Sequence, residues 1–479
     1  MRRSRSTAVA HALAAVLLVF SCCLGFHFTP RAQERAPQEP APGAHAQAPG
    51  DRQSVDLAKL YDAVVDTIEQ KFFDEALLKR LDWRERAKAF RPTVLSAATA
   101  EDAFRQINAL LSELKTSHTA LFTPDDYEYY VLLDVLSPDP SLTELMTRQF
   151  WGSGPYFPGI GVFTREIDGL HFVDSVLEGS PADRAGLKYG DEVLTVDGMP
   201  YSPVAAFRGK IGTTVELKIR RDLDTALQSL EVSVIPIRPT SAFAAATAAS
   251  ARIIEQNGSR IGYVHIWSSN EANTFKAALA KFEPRNIIQD RLRRWGVPIT
   301  PDRMSSAVED APKPLDFLIV DIRGRVGGNT GVAGQYLELL AREKSYWGNS
   351  RTIVRSNSGL QTGLGNSPQN PPFRGRSTLL IDHHTRSAAE FMAYGYKRGA
   401  FGPLIGTTTA GAASSGALFA MPADLLLYVA VAGHELNGER IEGVGVTPDH
   451  RVERPLPYAA GADPVLDAAV DLLAKQAPK

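Results

Sequence analysis

Apolar residues recur at three- and four-residue spacing in two stretches near the start of the chain: Leu57, Leu60, Val64, Ile68 and Phe72, then Phe104, Ile107, Leu110, Leu111 and Leu114. That period places one apolar stripe on each of two helices. Thr99, followed three residues on by Asp102, marks the start of the second helix in the manner of a capping box. The helix runs out just before "KTSHTALFTP", which leaves His118 on the loop beyond it. Residues 54–150 therefore read as a helical region. From 158 to 239 the pattern changes to short runs between turn signals, "GIGVFTREIDGLHFVDSV" and "GSPADRAGLKYGDEVLTVDG". Ser180 and Pro181 suit the first positions of a short helix that Gly186 ends, and Gly-Asp and Asp-Gly turns bracket a strand at 193–196. Residues 156–240 read as a compact β-rich module.

Beyond the alanine-rich "TSAFAAATAAS", strand-like runs "RIGYVHIW", "LDFLIVDI", "STLLID", "PLIGT" and "LLLYVAVAG" alternate with helical stretches "VAGQYLELLAREK" and "SAAEFMAYGYK". The alternation predicts an α/β sheet with helical cover over 251–455, followed by a C-terminal tail or helix at 456–479. Residues 285–314 and 359–375 read as insertions, the second rich in Gly, Pro and Asn.

With 479 residues, the chain has room for two or three domains, since a domain typically holds about 100 to 200. Lys plus Arg number 52 against 54 Asp plus Glu, a net charge of -2, so there is no field to gather nucleic acid or an acidic surface. The opening "MRRSRSTAVAHALAAVLLVFSCCLGF" places an apolar run after an arginine-rich head, the layout of a secretory signal over residues 1–30. Both cysteines, Cys22 and Cys23, stand at its end, so disulfides and zinc-thiolate sites are excluded from the folded regions. "VFSC" is a loose match to a bacterial lipidation site, with Phe20 larger than usual, and a lipid tether is the alternative to cleavage and release. Residues 31–53, rich in Pro, Ala and Gln, read as a flexible linker.

The chemistry concentrates in "DHHTRSAAEF". Ser387 stands where a strand and short turn give way to a helix, so its hydroxyl either caps that helix or serves as a nucleophile beside free N–H groups such as that of Ala388. In "LDFLIVDIRGRVGGNTG", Gly327 and Gly328 leave the backbone bare enough to approach a substrate carbonyl. No GxGxxG, GxxxxGK[ST] or GxSxG motif occurs, which disfavours nucleotide binding and an ordinary α/β-hydrolase. A serine nucleophile needs a base. His383 and His384 lie close in sequence but at a strand end, and read as surface or structural residues. His118, His434 and His450 remain as loop or edge candidates, among which composition does not choose.

These motifs resemble those of the serine peptidases that include the C-terminal processing, or tail-specific, proteases and the tricorn-type and chlamydial secreted proteases. The 156–240 module resembles a PDZ domain, with Gly159, Ile160, Gly161 and Val162 at the peptide carboxylate-binding loop; "DFLIVDIRGRVGG", "TRSAAEF" and "IEGVGVTPD" follow in the family's order. The resemblance implies an α/β fold with a crotonase-like (ClpP/crotonase) catalytic core, an N-terminal helical region and an inserted PDZ-like domain. It implies Ser387 as nucleophile and Gly327 or Gly328 with Ala388 as oxyanion donors. The C-terminal processing branch takes its base from a lysine in "GxxTxGK"; here the segment is "GTTTAGA", with Ala412 at the lysine's place. The tricorn-type branch implies instead His118 as base, in "LKTSHT" with Thr116 replacing an acidic residue, and Glu442 as the acid that orients it. Glu390 reads as a support for its helix or a neighbouring loop, and Arg323 as either a carboxylate binder or a structural ion pair.

The expected protein is thus a secreted, periplasmic or envelope-tethered serine endopeptidase. It would cleave polypeptides through an acyl-enzyme without metal or organic cofactor, and the PDZ-like domain would recognise a C-terminus with an apolar last residue. The missing lysine motivates an alternative, a catalytically degenerate PDZ-containing binding or regulatory protein that keeps the peptidase fold.

Overall fold

The parallel sheet at the centre is built from strands whose residues are buried on both faces. In the computed structural model these are β11 (Ser259–His265), β12 (Phe317–Asp321), β15 (Arg376–Ile381) and β16 (Leu404–Gly406), flanked by β10 (Arg252–Gln256) and β20 (His450–Arg451) in the order β10-β11-β12-β15-β16-β20. Only the β10–β11 pair is antiparallel. Alternation sends Leu318 and Val320 to one face, under helices α9 (Ala272–Leu279), α10 (Thr330–Leu340) and α11 (Ala388–Arg398). Phe317 and Ile319 go to the other face, under α12 (Pro464–Ala474). Continuous apolar strands are what a sheet covered on both sides requires. The structure describes residues 55–136, 142–151, 153–282, 314–324, 327–340, 348–355, 357–362, 373 and 375–476. The leader and linker, and the stretch read as a first insertion, lie outside them. All described residues fall in the compact unit 48–479.

Four helices open the described chain: α1 (Leu57–Lys71), α2 (Glu75–Arg80), α3 (Trp83–Leu95) and α4 (Ala100–Ser112). The Thr99 hydroxyl accepts the Asp102 N–H at 3.1 Å, so the start signal of α4 acts as its sequence predicts. The apolar stripes of α1 and α4 pack on the long strand β18 (Leu425–Leu436) through Leu60, Ile68, Ile107, Leu427 and Val429. Next comes β1 (Ala120–Phe122), which pairs antiparallel with β18 in the register Ala120↔Tyr428. Strands β13 (Asn349–Val354), β14 (Asn357–Thr362), β17 (Ser415–Met421) and β19 (Glu439–Arg440) complete this second sheet. β14 runs into the stretch read as the second insertion, whose residues 363–372 are not described. The helical region is thereby joined to the C-terminal part of the core by a strand, not only by a linker.

Helices α5 (Tyr127–Val135) and α6 (Thr143–Phe150) lead to the β-rich module. Its strands are β2 (Phe157–Gly159), β3 (Val162–Ile167), β4 (Leu170–Val176), β5 (Glu192–Val196), β6 (Met199–Pro200), β7 (Thr214–Arg220), β8 (Gln228–Ser233) and β9 (Ile235–Ile237), with a short helix α7 (Pro181–Arg184). Ser180 caps α7 by accepting the Asp183 N–H at 3.2 Å. β3 is an edge of the sheet β3-β4-β5-β7-β8. The alanine-rich stretch that follows is helix α8 (Pro239–Ser250), which returns the chain to β10.

Candidate functional site

Ser387 lies at the junction between β15 and α11. The turn before it is fixed by Asp382, whose carboxylate accepts the N–H groups of His384 at 2.9 Å and Thr385 at 3.0 Å, and by the Thr385 hydroxyl, which donates to the Ile322 carbonyl at 2.9 Å. Ser387 itself has φ 55° and ψ -127° and its side chain makes no capping hydrogen bond. A left-handed φ on a serine is strained backbone of the kind that concentrates at functional sites. Ser387 thus stands at the N-cap position without its hydroxyl capping the helix.

The Ser387 N–H donates to the Ala412 carbonyl at 2.8 Å. Ala388, fully buried, is the first residue of α11, so its N–H has no acceptor within the helix. Across from it, a Cβ added at Gly327 would stand 3.6 Å from the Ser387 Cβ. Gly327 and Gly328 are held by a parallel bridge in which Ser269 N–H donates to Gly327 O at 2.8 Å and Asn329 N–H to Ser269 O at 3.1 Å. That pattern turns the Gly328 N–H to the opposite side. Gly328 has φ 128°, and a Cβ there would meet the Asn270 Oδ1 at 2.3 Å, so only glycine fits.

His118 is 6 % exposed and Glu442 5 %. They meet through a residue that sequence reasoning did not single out. Ser117 donates its N–H to Glu442 Oε1 at 2.8 Å and its hydroxyl to Oε2 at 3.1 Å, while the same Oγ lies 2.6 Å from His118 Nδ1. A hydroxyl has one proton. With that proton on Glu442, Ser117 Oγ accepts from Nδ1–H, which leaves the lone pair on Nε2. The expected direct contact between Glu442 and the imidazole is therefore replaced by a carboxylate–hydroxyl–imidazole chain. Ser117 carried a signal only in its adjacency to His118. Thr116, at the altered motif position, instead bonds Thr119 at 2.9 Å.

Electrostatics match this arrangement. Burial, then the nearby Arg386, pushes the His118 pKa down to about 4, with Glu442 opposing. For Glu442, burial acts upward, but donors from Ser117 and Ser414 and the adjacent His118 hold it below the usual carboxylate range. The N–H groups of Ala413 and Ser414 both donate to Oε2 at 2.7 Å. Ala412, at the place of the lost lysine, lies immediately before them. Glu390, fully buried, accepts from Thr409 Oγ1 at 2.6 Å, Gly411 N–H at 2.7 Å and Ala412 N–H at 2.6 Å, and burial raises its pKa. Glu390 supports the neighbouring loop, as its position one turn into the helix predicts.

The segment 411–414 thus links Ser387, Glu390 and Glu442, and Ser117 extends the set to His118. Among the described residues, no hydrogen bond joins Ser387 Oγ to His118. His434 lies on β18, bonded to Ser415 Oγ at 2.7 Å, and His450 is exposed on β20. His383 and His384 face the β-rich module instead, against Arg165 at 3.1 Å and Asp174 at 2.6 Å. Arg323 takes the structural role: it pairs with Asp321 at 2.6 Å and Asp463 at 2.7 Å. A cavity of about 770 Å³ between module and core, bordered by Glu178, Tyr189, His265, Asp382 and Arg454, is not lined by Ser387. Gly159, Ile160, Gly161 and Val162 are all buried, with the Ile160 and Gly161 carbonyls accepting from Ala182 and Leu177 at 2.9 Å.

Sequence comparison defines the class as a serine-type peptidase. Residues 260–452 match Peptidase family S41 and residues 172–221 match a PDZ domain, so the chain carries an S41 peptidase domain and a PDZ domain. It is 25% identical over 421 residues to the carboxyl-terminal-processing protease of Picosynechococcus sp., covering 85% of this chain and 86% of that one. With the carboxy-terminal processing protease CtpA of Bacillus subtilis it shares 23% over 382 residues, 76% of this chain and 72% of the relative. The solved photosystem II D1 C-terminal processing protease aligns at a TM-score of 0.47 and 18% identity, over 88% of this chain and 98% of that one. The non-catalytic alternative finds no support in these relatives, which are named as proteases.

Proposed function

We propose that the chain is an exported endopeptidase that cleaves polypeptides through an acyl-enzyme, with Ser387 as nucleophile, His118 as general base and Glu442 as the orienting acid acting through Ser117. The observation that carries this reading is the Glu442–Ser117–His118 chain, which fixes the imidazole tautomer with Nε2 free to accept a proton. His118 Nε2 takes the Ser387 Oγ proton as Oγ attacks the scissile carbonyl. The N–H groups of Gly327 or Gly328 and Ala388 stabilise the oxyanion at the positive end of α11. The imidazolium then gives its proton to the leaving amine, and water, activated by the same imidazole, releases the acyl group. In this reading Nε2 closes onto Oγ when substrate binds, since catalytic hydrogen bonds often form fully only in the substrate complex. The catalytic sheet is read as a crotonase-like core, and the PDZ domain as the reader of a substrate C-terminus by strand addition. The arginine-headed apolar leader motivates the assignment to the periplasm or cell envelope.

The test is digestion of an unfolded polypeptide such as reduced casein, with products followed by mass spectrometry. Wild type is expected to release peptides and Ser387→Ala none; equal release by the two would reject the nucleophile.

A further inference from the structure

The cavity of about 770 Å³ lies at the carboxyl ends of the central parallel strands. His265 ends β11, Asp321 ends β12, Ile381 ends β15 and Thr407 follows β16, and all four border it. Ligands gather outside the carboxyl ends of such strands and at the boundaries between domains. The other wall comes from the β-rich module, through Arg165 of β3, Glu178 beyond β4 and Lys188 beyond α7.

The charges that border the cavity are unequally served. Every carboxylate there has its donors. Asp174 takes Arg165 at 3.1 Å and His384 at 2.6 Å, and Glu178 takes His265 Nδ1 at 2.9 Å and Trp267 Nε1 at 2.5 Å. Asp321 and Asp463 share Arg323, Asp382 holds the backbone N–H groups of the turn before Ser387, and Glu453 pairs with Arg451 at 2.6 Å. The donors are not matched in the same way. Among the described residues, the Lys188 side chain has no hydrogen-bond or ion-pair partner. Arg252 has no carboxylate, only the Ser250 carbonyl at 3.3 Å and the Tyr263 ring 3.9 Å beneath its guanidinium. Arg165 Nε and Thr407 Oγ1 are buried without a hydrogen-bond partner. Arginine and lysine side chains can only donate, and a buried donor without an acceptor is costly, so the lining is complementary to acceptors.

We propose that this cavity is a binding site for a small organic polycarboxylate, shared between Arg165 and Lys188 of the β-rich module and Arg252 and Thr407 of the core. Donors on both walls call for two or more acceptor groups on one molecule. A ligand held by both walls joins the module to the core, so its binding stabilises the folded chain. The site is separate from Ser387, and its ligand is neither substrate nor product of the peptidase reaction.

The experiment uses the full chain and citrate at fixed pH and ionic strength, with binding read by titration calorimetry and Tm by scanning fluorimetry. Citrate is expected to bind at a single site and, at about 100 times its Kd, to raise Tm by about 3 °C. Lys188→Glu and Arg252→Glu, at exposed positions on the two walls, should each weaken binding by at least about tenfold. Lys59→Glu, an exposed change of the same charge on α1, should leave it within a factor of about two, because a distant charge is screened. Acetate should bind at least about tenfold more weakly than citrate. No saturable binding of citrate, equal weakening by Lys59→Glu, an effect of only one of the two cavity variants, or tighter binding of acetate or of a tetraglutamate peptide than of citrate would overturn the proposal. No cleavage is measured, so the outcome is independent of the role assigned to Ser387.

Discussion

The N–H of Ser387 donates to the carbonyl of Ala412 at 2.8 Å, and Ala412 stands where the C-terminal processing branch carries its lysine base. The contact ties the strained turn at Ser387 to the segment whose next two N–H groups hold Glu442. The loop is thus an anchor for both, and Glu390 fixes it from beneath through three hydrogen bonds.

Glu390→Gln offers an amide NH₂ where the buried carboxylate accepted from Gly411 and Ala412. One donor is left facing another, which costs about 1 to 3 kcal/mol. Urea unfolding should report that loss, and steady-state assays should show kcat lowered with the acid limb of the pH profile unmoved, since Glu390 does not touch the reacting atoms.

Ser117→Ala removes the hydroxyl between Glu442 and His118. Loss of the group that sets the tautomer of a catalytic histidine lowers kcat by orders of magnitude, here expected at about 10²-fold, with KM little changed. A rate within a factor of about two of wild type would show that Ser117 is only a neighbour.

How much of this was legible beforehand differs between the parts. The helical stripes, the caps at Thr99 and Ser180 and the strands of the central sheet follow from local periodicity and turn chemistry, which a chain carries in its own order. The pairing of β1 with β18 joins residues more than three hundred positions apart, and no local pattern encodes it. Ser117 was missed for the same reason, because its role exists only once Glu442 arrives beside it. Strand β17 was missed because its "SGALFAM" mixes small and apolar residues without a clean alternation. The cluster His383–His384 drew attention by proximity to Ser387, yet the β15 turn points both rings at the PDZ domain.

Gly327→Ala places a methyl group 3.6 Å from the Ser387 Cβ, in space that the proposed mechanism assigns to substrate. Gly327 carries no left-handed φ requirement, so the fold is expected to hold within about 1 kcal/mol. Activity should fall by about 10²-fold, the scale set by a misplaced oxyanion donor. Thermal unfolding paired with kcat/KM separates the two effects.

Two buried histidines predict opposite pH limits. His118, pushed down to about 4, is neutral when folded and takes up a proton more readily when unfolded, so its contribution is present above its ordinary value near 6.5 and is lost as pH falls towards 4. His265 is buried against Glu178 at 2.9 Å and the Arg323 carbonyl at 2.9 Å; burial lowers its pKa, but Glu178 and Asp321 outweigh this and raise it to about 9. Its contribution is complete below about 6.5 and is lost as pH rises through 9. Tm against pH should decline on both sides, and Glu178→Gln should remove the alkaline decline alone. The kcat/KM acid limb should lie near 4, not near 6.5.

The central claim, that His118 activates Ser387, is tested most directly by the rate at which a fluorophosphonate labels the full chain, with the adduct mapped by mass spectrometry. The account predicts a single adduct on Ser387 in wild type, none in Ser387→Ala, and labelling slowed by at least about 10³-fold in His118→Ala. Undiminished labelling of Ser387 in His118→Ala, or an adduct on another residue, would contradict it.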